Sequence, residues 1–309
     1  MNHEKSILVI FNPSSGVINK DTALATIFKI LRENFHTVAI INSKSPDHTH
    51  DIIAKSKDEY SIITAFGGDG TINSVARQLI GTSLTLGILP GGSGNGLVRN
   101  LGIPLSWRKA LEVLVNGRDV LLDCGNINDI PFFNVAGFGL DGLISKKFNL
   151  ETKSRGIAPY IYYAFKGYFE MPIYRVEFKS DGLSFLDDVV LSAFANFRQY
   201  GGKAIIAPFA KPDDGLLDLC ILNHFRLIKE TLNIQRLFTG KIHKLPFYKS
   251  RTIREISVRS LSGPIPFHFD GEYSGYDSET FRVSVMPKAI RIRVPRLDLD
   301  GQNIAPDQI

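Results

Sequence analysis

The chain has 309 residues, of which 44% are hydrophobic and 22% charged, with a formal net charge of +5. That is too much apolar material for a disordered protein and too long a chain for one comfortable core, so two globular domains are expected. No run approaches about 18 uncharged apolar residues and Met1–Lys5 is polar, so neither a spanning helix nor a signal peptide is expected, and any membrane contact is peripheral.

Ser6–Phe11 is a short apolar run ending in Asn-Pro and reads as a buried strand followed by a turn. Asp21–Asn34 places Leu24, Ile27, Phe28 and Leu31 on one helical face. Thr37–Ile41 predicts a strand, Asp47–Ser56 a helix opening after Pro46, and Ser61–Phe66 a strand running into Gly67-Gly68-Asp69-Gly70. A helix over Thr71–Ile80, a strand over Thr85–Leu89, a second glycine-rich turn and a helix over Trp107–Asn116 follow. Strands alternating with helices imply a parallel sheet covered on both faces. After about Asp123 the pattern changes. Phe132–Ala136, Arg175–Ser180, Asp188–Asn196, Leu217–Leu222, Glu255–Ser260, Pro266–Asp270 and Phe281–Met286 read as strands, with helices at Tyr160–Glu170 and Leu227–Phe238 between them. The expected architecture is an α/β domain over 1–125, completed by 288–309 through a strand at Ala289–Val294, and a mainly antiparallel β-sandwich over 126–287. The polar end, Gly301–Ile309, is expected to fray.

Cys124 and Cys220 sit in apolar surroundings and read as buried thiols in a reducing cytosol, not as a disulfide framework or a metal site. Lys241, Lys244, Lys249, Arg251 and Arg254 are interleaved with Leu245, Phe247 and Tyr248, a mixture that suits a lipid interface. The other basic residues are scattered without a recognised module, which argues against nucleic acid.

The two glycine-rich turns carry the strongest chemical signal. Each follows a strand and leads to a helix start. There, glycine lets the backbone approach a phosphate and bare amides favour anions. With Asn12-Pro13-Ser14-Ser15-Gly16 after the first strand, three polar loops are expected at one sheet edge, with Thr71, Ser93 and Asn95 as side-chain donors. Neither a Walker A motif nor the protein-kinase HRD and DFG elements occur. Gly137-Phe138-Gly139-Leu140-Asp141-Gly142 satisfies the dinucleotide fingerprint literally. No alternating strand-helix pattern follows it, however, and no acid stands about 20 residues on at the end of a second strand, so it is set aside.

Asn12-Pro13-x-x-Gly16, Gly67-Gly68-Asp69-Gly70-Thr71 and Gly92-Ser93-Gly94-Asn95, in that order and spacing, resemble the nucleotide-binding motifs of the diacylglycerol kinase catalytic family. Pro212-Asp213-Asp214-Gly215-Leu216-Leu217-Asp218 and Asp270-Gly271-Glu272 extend the resemblance into the second half. It implies an ATP- and Mg²⁺-dependent lipid kinase, cytoplasmic and held peripherally at the inner face of the membrane; a homodimer is left open. Gly68, Asp69, Gly70, Thr71, Ile72, Asn73 and Ser74 would wrap the ATP phosphates. Ser93 and Ser43 would stand where the family places nucleotide-contacting threonines. The resemblance makes Glu272 the proposed general base, with Asp69 and Asp270 as the other acids considered. It places a structural Mg²⁺ on Asp214 and the carbonyls of Lys211 and Leu216, an oxygen-only set that suits this ion, although a plain turn explains the same residues. Asp141 with Arg155 would meet the lipid head, as in sphingosine kinases. Two departures from the family pattern stand out: no acid follows Ser93-Gly94-Asn95, and Ser74 replaces the usual glutamate after Asn73. Two other readings remain: an NAD kinase-type enzyme with a soluble substrate, and a non-catalytic nucleotide or lipid sensor.

Overall fold

A computed structural model describes residues 6–13, 20–92, 94–151, 173–201, 204–224 and 235–296. The helix expected at Tyr160–Glu170, most of that at Leu227–Phe238 and the tail Gly301–Ile309 lie outside the described residues. The chain divides into two units: one runs through Leu122 and resumes at Lys288, and the other is Asp123–Pro287.

The first unit is a parallel sheet with helical connections. Strands β1 (Ser6–Phe11), β2 (Thr37–Asn42), β3 (Ile62–Gly67) and β4 (Thr85–Pro90) stand in the order β2-β1-β3-β4, all pairs parallel. Strands β1, β3 and β4 are buried along their whole length. Burial on both faces explains why they read as unbroken apolar runs rather than as alternations. The connections are α1 (Lys20–Asn34), α2 (Pro46–Ser56), α3 (Asp69–Leu79), α4 (Gly96–Asn100) and α5 (Trp107–Asn116). Helix α2 starts where Ser45 Oγ accepts the His48 N–H at 3.1 Å, with Pro46 in its first turn.

The second unit is an antiparallel sandwich. Its strands are β6 (Ile130–Phe132), β7 (Val135–Gly139), β8 (Tyr174–Ser180), β9 (Leu183–Val189), β10 (Leu191–Ala195), β11 (Gln199–Gly201), β12 (Ala204–Ile205), β13 (Leu217–Leu222), β14 (Tyr248–Ile253), β15 (Glu255–Ser260), β16 (Ile265–Phe269) and β17 (Glu272–Ser278). One sheet runs β14-β13-β10-β7-β16-β17, every pair antiparallel. The other pairs β9 with β8 and β8 with β15. Side chains from both sheets interdigitate in one core, in which Phe138 stacks on Phe281 with centroids 4.9 Å apart and Phe178 on Phe185 at 4.9 Å. Helix α6 (Leu140–Glu151) and a short helix α7 (Gln235–Phe238) complete the described parts.

Two strands carry the chain from one unit to the other. Strand β5 (Arg118–Ile127) leads out of the first. Strand β18 (Thr280–Val294) joins what the sequence reads as two strands; its start pairs antiparallel with β15, and its end places Arg291 and Ile292 parallel to Thr85 and Leu86 of β4.

The strand expected at Phe132–Ala136 is instead broken into β6 and β7. The Phe133 and Asn134 N–H groups donate to the Asp270 carboxylate, at 2.9 and 2.7 Å, in place of a neighbouring strand. Both cysteines are buried and unpaired; burial pushes the Cys124 thiol up and takes the Cys220 thiol up to about 12, so neither is a ready nucleophile.

Candidate active site

In the first unit the chain leaves β1 toward β2 on one side and returns to β3 on the other. This is a topological switch point, where loops at the carboxyl ends of neighbouring strands diverge and leave room for a ligand. The polar loops meet there. The Asn12 N–H donates to Phe66 O at 3.3 Å, and Asn12 Nδ2 to Thr71 Oγ1 at 3.3 Å. The Gly91 N–H donates to Gly67 O at 2.7 Å, tying the second glycine-rich turn to the first.

Glycine is required at this junction for closeness. A Cβ on Gly92 would stand 2.6 Å from Gly68 Cα, and one on Gly67 would stand 2.6 Å from Thr71 Oγ1. The Asp69 carboxylate then locks the pair of turns: Oδ2 accepts the Asn95 N–H at 2.8 Å and Oδ1 the Gly96 N–H at 2.9 Å. Asn95 adopts a left-handed φ of 56° and donates from Nδ2 to Gly92 O at 2.8 Å. Its buried Oδ1 has no hydrogen-bond partner among the described residues.

Gly68 caps α3 at the end of β3, so the first-turn amides of this 11-residue helix lie beside the locked turns. Gly70 and Gly94 are exposed, and Thr71 is half-buried. Ile72 and Asn73 are buried, which leaves them no exposed side chain, and Ser74 is half-buried. Ser43 is buried too; its hydroxyl bonds Thr49 Oγ1 at 2.6 Å and Ser45 O at 3.0 Å, bracing the start of α2. Pro13 turns the chain after β1, while Ser14, Gly16 and Ser93 lie outside the described residues.

In the second unit, strands β16 and β17 form a two-residue hairpin that pairs Phe269 with Glu272. Its central residues Asp270 and Gly271 have φ of 52° and 84°, the left-handed pair that Asp-Gly tolerates best. Besides taking two N–H groups through its carboxylate, Asp270 donates its own N–H to Val135 O at 2.8 Å. Glu272 opens β17, is exposed, and makes no side-chain hydrogen bond among the described residues.

Asp141, in the first turn of α6, is buried and hydrogen-bonded to His268 Nε2. Arg155, its expected companion, lies outside the described residues. In the loop before β13, Asp214 Oδ1 accepts the Leu216 N–H at 3.0 Å. Gly215, with φ 74°, donates to Asp123 Oδ2 at 2.7 Å, and Asp123 returns its own N–H to Pro212 O at 2.7 Å. Burial, and secondarily Asp214, pushes the Asp218 carboxyl up to about 6. Lys211 is exposed and Leu216 half-buried. Among the described residues no group of three His, Cys, Asp or Glu side chains gathers to hold a metal.

Residues 6–127 match the diacylglycerol kinase catalytic domain, and residues 134–294 match the YegS C-terminal NAD kinase beta sandwich-like domain. The chain belongs to the diacylglycerol kinase family of lipid kinases. It has the fold of this ATP-dependent kinase family, whose members transfer phosphate to an alcohol. It is similar to a diacylglycerol kinase of Bacillus subtilis, 28% identical over 289 residues covering 88% of this chain and 91% of that one. It is also similar to a protein of Yersinia enterocolitica described as a probable YegS-like lipid kinase, 32% identical over 239 residues covering 75% and 78%. The solved structure of a diacylglycerol kinase from Bacillus anthracis superposes with TM-score 0.72 at 20% identity, over 94% of this chain and 97% of that one. An NAD kinase from Archaeoglobus fulgidus superposes with TM-score 0.52 at 12% identity, over 98% and 99%, a likeness of fold alone.

Within this lipid-kinase framework the sequence reading missed Asp123 and His268, which hold loops rather than expose themselves. Asp218 offers a test of the loop's electrostatics. Its carboxyl is raised above the ordinary value, so the native state holds an extra proton between about pH 4 and 6 and loses that stabilisation as pH rises through 6. In buffer containing chelator, Asp218→Asn is expected to raise stability by about 1 kcal/mol above pH 7, after discounting for partial exposure, and to change nothing near pH 4. Thermal melts across that range check it; an equal effect at both ends would contradict the assignment.

Proposed function

We propose that the protein transfers the γ-phosphoryl group of Mg·ATP to the hydroxyl of a membrane lipid, a diacylglycerol-like alcohol or a sphingoid base, at the inner face of the membrane. The observation that carries this reading is the pair of glycine-rich turns locked in backbone contact at the switch point of the parallel sheet. Phosphoryl transfer demands positioning and charge stabilisation more than covalent work by the protein. The amides opening α3 and the turns around Gly68 and Gly92 receive the phosphates, with Asp69 as the strut between the turns. Mg²⁺, when bound, spreads the charge of the phosphates, and Asp214 with the carbonyls of Lys211 and Leu216 would hold a second, structural ion.

Of the three acids considered as base, Asp69 and Asp270 each spend both carboxylate oxygens on backbone N–H groups. Glu272 is exposed on a rigid hairpin corner and accepts the proton of the acceptor hydroxyl. Purified full-length protein with Mg²⁺ and radiolabelled ATP is expected to label a long-chain alcohol from a panel of diacylglycerol, sphingoid base and NAD. Labelling of NAD alone, or of nothing, would end this reading.

Peripheral membrane contact belongs to the same reading. Alternation across the six-stranded sheet splits the basic cluster expected from the sequence. Lys249 and Arg251 share the face of Leu219 and Ile221, where Lys249 pairs with Asp187 at 2.7 Å and Arg251 lies over Phe185 at 5.6 Å. On the opposite face the 3₁₀ turn Ile242–Lys244 seats Ile242 and Leu245 in an apolar cluster and leaves Lys241 and Lys244 exposed. Phe209, 65% exposed, packs on His243 with centroids 5.1 Å apart, and Phe238 is 51% exposed. Exposed aromatics among lysines fit an anionic bilayer. Lys241→Glu with Lys244→Glu is expected to weaken sedimentation with phosphatidylglycerol vesicles more than tenfold at low salt, at about 1 kcal/mol per removed cation. Unchanged binding would exclude this face.

A further inference from the structure

The hairpin that presents Glu272 is gripped from two sides. One grip is the Asp270 carboxylate on the Phe133 and Asn134 N–H groups. The other is His268, 1% exposed, on β16. The Gly271 N–H, which immediately precedes Glu272, donates to His268 Nδ1 at 3.2 Å. A ring nitrogen that accepts carries no proton, so the ring proton belongs on Nε2, which donates a hydrogen bond to the buried Asp141 carboxylate. A carboxylate that fixes an imidazole's tautomer and orientation is a recurring device wherever the other nitrogen has a task.

The sequence keeps space for this pair. A Cβ on Gly137 would meet Asp141 Oδ2 at 3.1 Å, His268 Nε2 at 3.2 Å and Ser192 O at 2.7 Å. The glycine that opens the apparent dinucleotide fingerprint is therefore a seat for a buried Asp–His pair.

We propose that His268, held by Asp141, is the positioning residue for Glu272: its Nδ1 takes the Gly271 N–H and fixes the hairpin corner from which the carboxylate reaches the acceptor hydroxyl. This rests on the kinase reading above. It assigns Asp141 to the support of the base rather than to the lipid head.

Two substitutions separate the grip on the hairpin from simple packing. In His268→Asn the side-chain oxygen takes the place of Nδ1, so Gly271 keeps its acceptor while buried Asp141 loses the donor that His268 supplied. In His268→Gln the amide takes the place of Nε2, so Asp141 keeps its donor while Gly271 loses its acceptor. The stability order should be Gln above Asn, because a charged buried carboxylate loses more with one donor than a neutral backbone N–H loses with its acceptor. The order of kcat should be reversed, with Gln losing roughly ten- to a hundredfold and Asn less, and with KM for ATP and lipid held within about twofold. Asp141→Asn retains a carbonyl acceptor for Nε2–H and is expected to lose about threefold, also in kcat.

A kcat order that follows the melting temperatures would reduce His268 to packing and overturn the proposal. A rise in KM for lipid with kcat intact would place the pair on the substrate and overturn it as well. Selective ¹⁵N labelling decides the relay without turnover. Wild-type Nδ1 should resonate as unprotonated and Nε2 as protonated, and the Gly271 amide should move in His268→Gln but less in His268→Asn. A protonated Nδ1, or an unmoved Gly271 amide, would refute the relay even in an active enzyme. An inactive wild type with the expected resonances would instead refute the kinase reading and leave the relay standing.

Discussion

Glu272→Gln is expected to lower kcat about a thousandfold while leaving Mg·ATP affinity and melting temperature close to wild type. The substitution is nearly isosteric and falls on an exposed side chain with no hydrogen bond among the described residues, so folding has little to lose. What it removes is a basic oxygen. Attack of a neutral hydroxyl on a phosphate requires that its proton leave, and an amide cannot take it. Asp270→Asn should behave differently. That carboxylate accepts two backbone N–H groups, so the amide would leave one of them facing a donor at a cost of about 1–3 kcal/mol. Its kcat loss should come with a lower melting temperature, whereas that of Glu272→Gln should not. Full turnover in Glu272→Gln, measured with radiolabelled ATP and the preferred lipid, would remove Glu272 as the base.

The first unit is legible in the sequence because parallel strands buried on both faces leave runs such as Ser6–Phe11 and Thr85–Pro90 with no polar interruption. The second unit is less so. Strand β9 lies at a sheet edge with Leu186 half exposed, and its LSFLDDV sequence carries too many polar residues to announce a strand. The break between β6 and β7 depends on a carboxylate about 136 residues away, which no local pattern can report. The same division holds at the site. Gly67, Gly68 and Gly92 are visible because a backbone that must come close needs glycine whatever it meets. That Asp69 spans to Asn95 and Gly96, rather than facing a ligand, follows only from the fold. His268 is a lone histidine in an apolar strand, for which a satisfied core side chain is the default reading. Its bonds to Asp141 and Gly271 give it a more particular place.

Gly92→Ala is expected to cut kcat/KM for ATP about a hundredfold, the cost of roughly 1 Å of misplacement at a phosphate site. The added methyl would stand 2.6 Å from Gly68 Cα, and neither atom belongs to a side chain that can rotate away. The turns must separate, and with them the Asp69 bonds to Asn95 and Gly96 that set where α4 begins. Stability should fall by about 1–3 kcal/mol as the contact is overpacked. Gly68→Ala is the informative partner. Its methyl would meet Gly92 Cα at 3.4 Å, an ordinary contact, and Gly68 has φ −85°, which alanine adopts freely. The unliganded turns should therefore keep their place, so any loss of Mg·ATP affinity in titration calorimetry reports a phosphate group at that position. If Gly92→Ala binds Mg·ATP as wild type does, the locked turns are not the phosphate site. If Gly68→Ala alone retains full affinity, the phosphates lie further along α3, toward Thr71.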